Sequence, residues 1–232
     1  RLANPQQLPQ VSGHVIELGR GRLEEGRRLI PLGLFRHLVQ ERVDHRRIEL
    51  ASGLTLQLAA GLGLVDMIAE LAGTPAAGAH RGFYRPHGGF PAWQPSDDPQ
   101  EVLDEALTWA AKSGRIEAFR PLMDLGADVN ADPYRGTPLT WAAVNGHTDA
   151  VRALVDLGAD VDRLATWGGP DHGGDVPAIN VAAQAGQTDA VRALLDLGAD
   201  PTIRDTIHGG AADGWADFGG HRELAAFLRE RA

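Results

Sequence analysis

The sequence predicts an all-α solenoid of helix-turn-helix units with β-hairpin finger loops, about five to six repeats long with degenerate caps. Three similar segments carry this prediction, and each ends in the string DLGAD: residues 105–128, 136–160 and 177–200. The glycines of that string, Gly126, Gly158 and Gly198, are 32 and 40 residues apart, within the range of about 20–50 residues that marks repeat architectures. The match is specific, because a long ordered motif recurs three times.

Each position of the central copy has a mechanical role in a pair of short helices. Thr137 is placed to cap the first helix, and Pro138 at its first turn needs no hydrogen-bond donor. Gly146 is suited to the left-handed conformation that ends this helix. Thr148 or Asp149 is expected to cap the second helix, whose apolar stripe faces the core. One such unit cannot bury its own apolar face, so it must stack against neighbours.

The order of these residues, G-TPLH-x-AA-x-x-GH-x-x-x-V-x-x-L-L-x-x-GAD in idealised form, resembles the ankyrin repeat. The resemblance implies a solenoid whose first helices and fingers line one concave groove, and a function in binding another protein through that groove. The histidine of the TPLH string is absent, and its position holds Thr108, Thr140, Asn180 and Gly214. The Thr–His hydrogen bond of the family is therefore expected to be missing, so other contacts must supply that stability.

We predict a single domain, residues 1–232, in which repeats alternate with two longer insertions. Its segments are a degenerate N-terminal repeat or cap (1–53), a repeat (54–73), an inserted finger loop (74–100), repeats at 101–133 and 134–163, a second inserted finger (164–176), a repeat (177–206) and a C-terminal capping repeat (207–232). In the capping repeat, Asp213 and Asp217 occupy the positions of Leu139 and Ala143 in the central repeat. A buried carboxylate is costly unless it is paired, so we expect both to face solvent. Because the sequence begins at Arg1 rather than Met, we expect that a tag or an upstream segment preceded it.

Composition argues against several classes of protein. The formal net charge of −9, with dispersed basic residues, argues against a nucleic-acid partner, which requires a basic face. The absence of cysteine excludes disulfides, thiolate zinc sites and cysteine nucleophiles. No apolar run reaches roughly 18 residues, the length that marks a membrane span. Lys112 is the only lysine, and abundant Arg, Ala, Gly and Leu are typical of a high-GC bacterial genome. We therefore expect a cytoplasmic bacterial protein with no cofactor and no membrane partner.

The first inserted finger, residues 74–100, departs most from the repeat. It contains Tyr84, His87 and Trp93 among many glycines and prolines. Loops longer than about 12–15 residues are usually functional or disordered, and disordered linkers are poor in aromatic residues. We therefore expect an ordered loop that either packs on its own scaffold or contacts a ligand or partner directly.

The second inserted finger, residues 165–176, explains the 40-residue step between two of the repeats. It places Trp167 and His172 among four glycines, which permit sharp turns or the close approach of a ligand. This segment is either a flexible insertion or part of a binding surface.

Tryptophan recurs at one position on the first helix of the repeats. Trp109, Trp141 and Trp215 occupy it, and the intervening repeat has Val181. The indoles either pack in the core between neighbouring repeats or form an aromatic binding strip along the groove. The candidate binding residues, taken together, are Tyr84, His87, Trp93, Trp109, Tyr134, Trp141, Trp167, His172, His208 and Trp215.

Four histidines fall in finger loops, on the side where the resemblance places the groove: His80, His87, His172 and His208. With the carboxylates of Asp171, Asp175 and Asp205, they are suitable ligands for a divalent metal, or suppliers of a general acid or base. Their spacing matches no metal-binding, nucleophile-elbow or phosphate-loop signature. We therefore assign no metal and no catalytic residue, and the sequence leans against an enzyme. His147 and His221 follow turn glycines, where the repeat family uses histidine structurally.

Two classes of function remain open. The leading one is a protein–protein interaction scaffold that binds an unidentified partner through the concave groove and finger loops. The alternative is a small-molecule-binding or enzymatic protein, with a pocket formed by the two inserted loops over the inner helices. If the chain is a scaffold, Trp93 and Trp167 should be exposed at the rim of the groove. If it holds a small-molecule pocket, both inserted loops should fold onto Trp109 and Trp141.

Overall fold

The computed structural model describes residues 54–74, 98–133, 136–167, 175–206 and 208–232. These residues form ten α-helices, one short 3₁₀ helix and one two-stranded antiparallel hairpin. In chain order the elements are α1 (Leu56–Leu62), α2 (Val65–Leu71), α3 (Pro99–Lys112), the 3₁₀ helix (Ile116–Ala118), α4 (Phe119–Asp124), α5 (Pro138–Val144), α6 (Thr148–Asp156), β1 (Ala165–Thr166), β2 (Asp175–Val176), α7 (Ala178–Gln184), α8 (Thr188–Asp196), α9 (Ala212–Phe218) and α10 (Arg222–Arg229).

The helices alternate in role along the chain. The odd-numbered helices pack against one another in sequence order and form one layer, and each even-numbered helix packs against the odd-numbered helix before it. This stack of helix pairs confirms the predicted all-α solenoid. None of the described helices is long and apolar enough to cross a membrane. The predicted N-terminal repeat or cap, residues 1–53, lies outside the described residues.

The ends of the central helices follow the sequence, with one exception. Thr137 caps α5, since its hydroxyl accepts a hydrogen bond from the Thr140 nitrogen at 3.2 Å. Gly146 takes the expected left-handed conformation, with φ of 72°. The expected cap of the next helix by Thr148 or Asp149 is wrong: His147 occupies the cap position without a side-chain bond. The reason is that Thr148 already has helical geometry, and from inside the helix its hydroxyl cannot serve as the cap acceptor.

The core runs through the whole described stack. In the central repeat Leu139, Ala142 and Ala143 are at most 2% exposed, because α7 covers them and the small alanines let helices approach closely. On the even-numbered layer, Val151 and Leu154 of α6 are completely buried. The core therefore depends on neighbours at every repeat, as expected for a solenoid.

A ladder of side-chain to backbone hydrogen bonds joins the fingers of successive repeats. Asn130 donates to the Gly158 carbonyl at 3.1 Å and accepts from the Asp160 nitrogen at 2.8 Å. One repeat further, Asp162 accepts from the Asp200 nitrogen at 2.9 Å. These bonds satisfy backbone groups that would otherwise be left without protein partners.

Substitutes for the missing histidine of the TPLH string are also present. Asn180, which occupies that position, donates through Nδ2 to the Gly210 carbonyl of the next finger at 3.2 Å. At the opposite end of the helices, the His147 ring donates through Nε2 to the Lys112 carbonyl at 3.1 Å. Gln187 does the same to the Val144 carbonyl at 3.2 Å. His147 thus has the structural role that the sequence indicated.

The last repeat shows how the array ends. Asp213 and Asp217 are 33% and 45% exposed in their side chains, which confirms that both carboxylates face solvent. Arg229 of α10 pairs with both, at 3.2 Å from Asp213 Oδ2 and in closer contact with Asp217 Oδ2. Positions that are apolar and buried in inner repeats are polar here, because no described repeat packs beyond them.

Candidate functional site

The odd-numbered helices carry one row of residues in equivalent positions. Each member lies two residues before the glycine that turns the chain into the next helix, and on α3, α5, α7 and α9 the members are Lys112, Val144, Gln184 and Phe218. We call these four residues the inner row. The first three are partly buried, whereas Phe218 is 82% exposed. The inner row therefore presents one cation at one end and one accessible aromatic ring at the other.

Two tryptophans from different elements meet beside the inner row. Trp141 of α5 and Trp167, directly after β1, pack edge to face with ring centroids 5.2 Å apart and planes at 61°. Both indoles retain partial solvent exposure. Edge-to-face packing is a favoured geometry for aromatic pairs, and it contributes about 0.5–1.5 kcal/mol of stability beyond that from burying the rings. The pair is a rigid, partly exposed aromatic surface.

The finger that carries Trp167 is held in place by Asp132. One carboxylate oxygen of Asp132 accepts from the Gly136 nitrogen at 2.6 Å, and the other accepts from the Thr166 nitrogen at 2.6 Å. The Thr166 hydroxyl also donates to Asp132. Pairing of Thr166 with Asp175 in the hairpin fixes the register of the finger. Because Trp167 follows Thr166 directly, this network positions its indole against the neighbouring helix.

Lys112 completes the cluster. Its ammonium nitrogen lies 4.2 Å from the centroid of the Trp141 ring and 5.2 Å from that of Trp109. Such cation–π contacts contribute about 0.5–2 kcal/mol, more as the cation loses water. Burial lowers the pKa of the Lys112 ammonium below its ordinary value.

Trp109 belongs to the core rather than to the surface. Its side chain is 5% exposed, in contrast to Trp141 and Trp215 at the equivalent position, and Val181 there is completely buried. The sequence left open whether this helix position belongs to the core or to a binding strip. In the structure it is buried in two repeats and partly exposed in the other two, depending on what packs above each repeat.

A buried polar pair lies between α1 and α3. Gln57 donates through Nε2 to Glu105 Oε2 at 2.8 Å, and the two side chains are 0% and 2% exposed. Burial raises the pKa of Glu105 to about 7, although the hydrogen bond from Gln57 opposes the rise. The Trp109 indole N–H is a second donor to Glu105 that opposes the rise, whereas Gln57 Oε1 has no hydrogen-bond partner among the described residues. The pair connects the first described repeat to the second.

Asp205 organises the last finger. Its buried carboxylate accepts from the backbone nitrogens of His208 at 2.6 Å and Gly210 at 2.8 Å. The indole nitrogen of Trp215 donates to the same carboxylate at 3.1 Å. Both oxygens are thus engaged by donors of the finger and its helix, so Asp205 is a structural residue rather than a metal ligand. The His208 side chain is exposed.

A shallow cleft of about 430 Å³ lies at the start of α3, next to residues 131–133. Its lining is mostly acidic or polar: Asp98, Gln100, Glu101, Asp104 and Asp132, with Ala131 and Pro133. Asp104 is 7% exposed, and burial raises the pKa of its carboxyl even though the Asp128 nitrogen and Gln100 donate to it. Ligand pockets for small molecules are predominantly apolar, which this cleft is not.

The candidate residues divide into three groups. Trp109 and Trp141 both lie against the Lys112 ammonium, and Trp167 packs on Trp141. Trp215 and His208 lie in the last repeat and its finger. Five lie outside the described residues: Tyr84, His87, Trp93, Tyr134 and His172.

Sequence reasoning missed two members of this surface, Lys112 and Phe218. The signal that finds them is positional, because both precede a turn glycine by two residues. In the described part of the chain, no three His, Asp or Glu side chains form a group able to hold a metal ion.

Comparison with known proteins agrees with this architecture. The family model for ankyrin repeats (3 copies) matches residues 90–165, and the model for a single ankyrin repeat matches residues 174–206. A search of curated proteins finds no match. Ankyrin repeats generally serve as protein–protein interaction modules. On its repeated motif, its stacked helix pairs and these matches, the chain belongs to the ankyrin-repeat family.

Proposed function

We propose that this chain is an interaction scaffold that binds a protein partner through its concave groove and finger loops. The finger folds Trp167 onto Trp141, as the pocket alternative expects of that loop, but both indoles stay partly exposed, and this jointly presented aromatic surface is the observation that carries the proposal. Tryptophan is enriched among the residues that dominate binding energy, because a rigid ring offers a large area at a small entropic cost.

Phe218 extends this surface to the last repeat. A phenylalanine that is 82% exposed gains no stability from burial in the isolated chain, so its apolar area is available to a partner. Trp141 and Phe218 lie on odd-numbered helices of the same layer, separated by one repeat. An extended segment that follows the groove is the partner shape that fits two such anchor points.

The experiment uses a displayed library of random peptides selected on the full chain. We expect Trp167→Ser and Phe218→Ser each to lower the affinity of the chain for the selected peptides by at least about tenfold, because each removes an aromatic anchor. Leu125→Ser is the matched control, because Leu125 is also exposed (41%) but follows the even-numbered helix α4.

The expected result is loss of affinity in the two aromatic variants and unchanged affinity in the control, measured by calorimetry. Peptides that bind both aromatic variants as tightly as the parent chain would contradict the groove as the binding surface. Circular dichroism of each variant separates loss of binding from loss of fold.

A further inference from the structure

Lys112 is the only lysine in 232 residues, and it stands in the inner row beside the aromatic pair. An ammonium group has three N–H donors. In the part of the chain that the structure describes, the Lys112 ammonium contacts two indole rings and takes part in no ion pair or hydrogen bond. Ring faces attract the charge but leave hydrogen-bonding capacity unused.

Carboxylates on α3 itself and on the finger that precedes α5 are committed elsewhere. Asp132 binds Gly136 and Thr166, Glu105 binds Gln57, and Asp104 accepts from the Asp128 nitrogen. Burial nevertheless removes part of the water that would stabilise the Lys112 charge. Among the described residues this partly dehydrated cation has no counterion, so an incoming anion gains more here than it would on an open surface.

We propose that Lys112 is the anchor for one carboxylate of the partner, an Asp or Glu side chain that lies across the Trp141–Trp167 pair. The inference rests on the proposed function, because it names the chemistry of the segment that the groove binds. The ammonium supplies the charged hydrogen bond, and the indoles bury the methylene groups of the same side chain. Their low polarity strengthens the ion pair by excluding water.

Lys112 offers one positive charge at this point, which matches one carboxylate of the partner. Phosphate groups are usually held by clusters of arginine, and Lys112 is one isolated point charge. Asp132 holds the finger that carries Trp167, and it lines an acidic cleft together with Asp98, Glu101 and Asp104. This cleft lies at the start of α3, about 12–21 Å along the helix from Lys112, so it repels an acidic residue only where the segment approaches that end. The partner segment therefore carries an acidic residue at Lys112 and neutral, apolar or basic residues where it approaches the start of α3.

The test compares peptides selected from the random library on the full parent chain. A single Asp or Glu is expected at one position of the selected sequences, even though the chain itself carries a net charge of −9. Lys112→Met keeps most of the side-chain length and the packing on the indoles but removes the charge. This variant should bind these peptides with at least about tenfold lower affinity than the parent chain. Peptides with Asn or Gln at that position should bind the parent chain and the variant equally.

Arg152→Met is the matched control. It also removes one positive charge, but Arg152 lies on the even-numbered helix α6 and pairs with Asp196 at 3.3 Å. Affinity should be unchanged in this variant, which excludes an effect of net charge alone. Thermal melting of both variants checks that each is folded at the temperature of the binding assay.

A second measurement follows the pKa of Lys112 directly by NMR. Selective ¹³C labelling of lysine gives a single side-chain signal, because the chain has one lysine. The selected peptide should raise the pKa of Lys112, since an adjacent carboxylate favours the charged form, and its amide analogue should not.

The outcomes separate the two proposals. Selected peptides that lose affinity in the Trp167 and Phe218 variants but show no acidic position, or bind Lys112→Met normally, overturn the carboxylate anchor and leave the scaffold proposal intact. Peptides insensitive to all these variants, or no selected peptides at all, overturn both.

Discussion

Replacement of Glu105 by glutamine changes the interface between the first two described repeats in a way that depends on pH. The Glu105 carboxyl is 2% exposed, and burial raises its pKa from 4.5 to about 7. The folded chain therefore binds this proton more tightly than the unfolded chain does. The stability that results is fully present below pH 4.5 and is lost as the pH rises through about 7.

The size of the effect follows from the shift. A difference of one pKa unit corresponds to about 1.4 kcal/mol, so ionisation of Glu105 destabilises the folded chain by about 3 kcal/mol at about pH 8. Glutamine cannot ionise, and its amide oxygen can still accept the hydrogen bond from Gln57 Nε2. Glu105→Gln should therefore gain about 2–3 kcal/mol relative to the parent between about pH 5 and about pH 8.

The assay is urea unfolding of the parent and the variant across this pH range, followed by tryptophan fluorescence. Glu223→Gln is the control, because Glu223 is an exposed residue of α10 far along the array. Every other carboxyl group is the same in the parent and the variant, so its contribution to the pH dependence of the free energy of unfolding cancels in the difference. A difference between parent and Glu105→Gln that does not change with pH would refute the buried, proton-binding role of Glu105.

Two further pairs of substitutions test the fold by the same unfolding assay. Asp205→Ala should destabilise the chain by about 3 kcal/mol, because three donors of the last finger lose a charged acceptor, and Trp215→Phe should lose only about 1 kcal/mol. Equal losses would contradict the central role of the carboxylate. Gly219→Ala should destabilise by about 1–3 kcal/mol, since a Cβ there overlaps the Gln184 carbonyl oxygen. Gly214 lies inside α9, whose C-cap is Gly219, and a Cβ there has open space around it. Gly214→Ala should be neutral or stabilise by up to about 1 kcal/mol, and a loss there would indicate a missed contact.

The fold was predictable because its signals are local and repeated. Thr137, Pro138 and Gly146 each specify one backbone geometry, and the motif that contains them recurs. The hydrogen-bond ladder between fingers was not predictable, since Asn130 and Asp162 look like ordinary polar turn residues in the sequence. Their role depends on the spacing between repeats, which only the stacked structure supplies.

The candidate site was predictable in part. The tryptophans were recognised by their shared position, but the burial of Trp109 and the exposure of Trp141 depend on the neighbouring repeat and finger. The contact of Trp141 with Trp167 requires the hairpin held by Asp132, which no sequence spacing indicates. Lys112 could have been found by its position two residues before a turn glycine, but its contact with two indoles appears only in the structure.

Amide hydrogen exchange of the full chain, with and without a selected peptide, tests the central claim that this array binds through its groove. We expect protection at the end of α3, in α5 and in residues 164–167, where Lys112, Trp141 and Trp167 meet. Protection confined to the even-numbered helices α4, α6 and α8 would contradict the claim, because it would place the binding surface on the opposite layer.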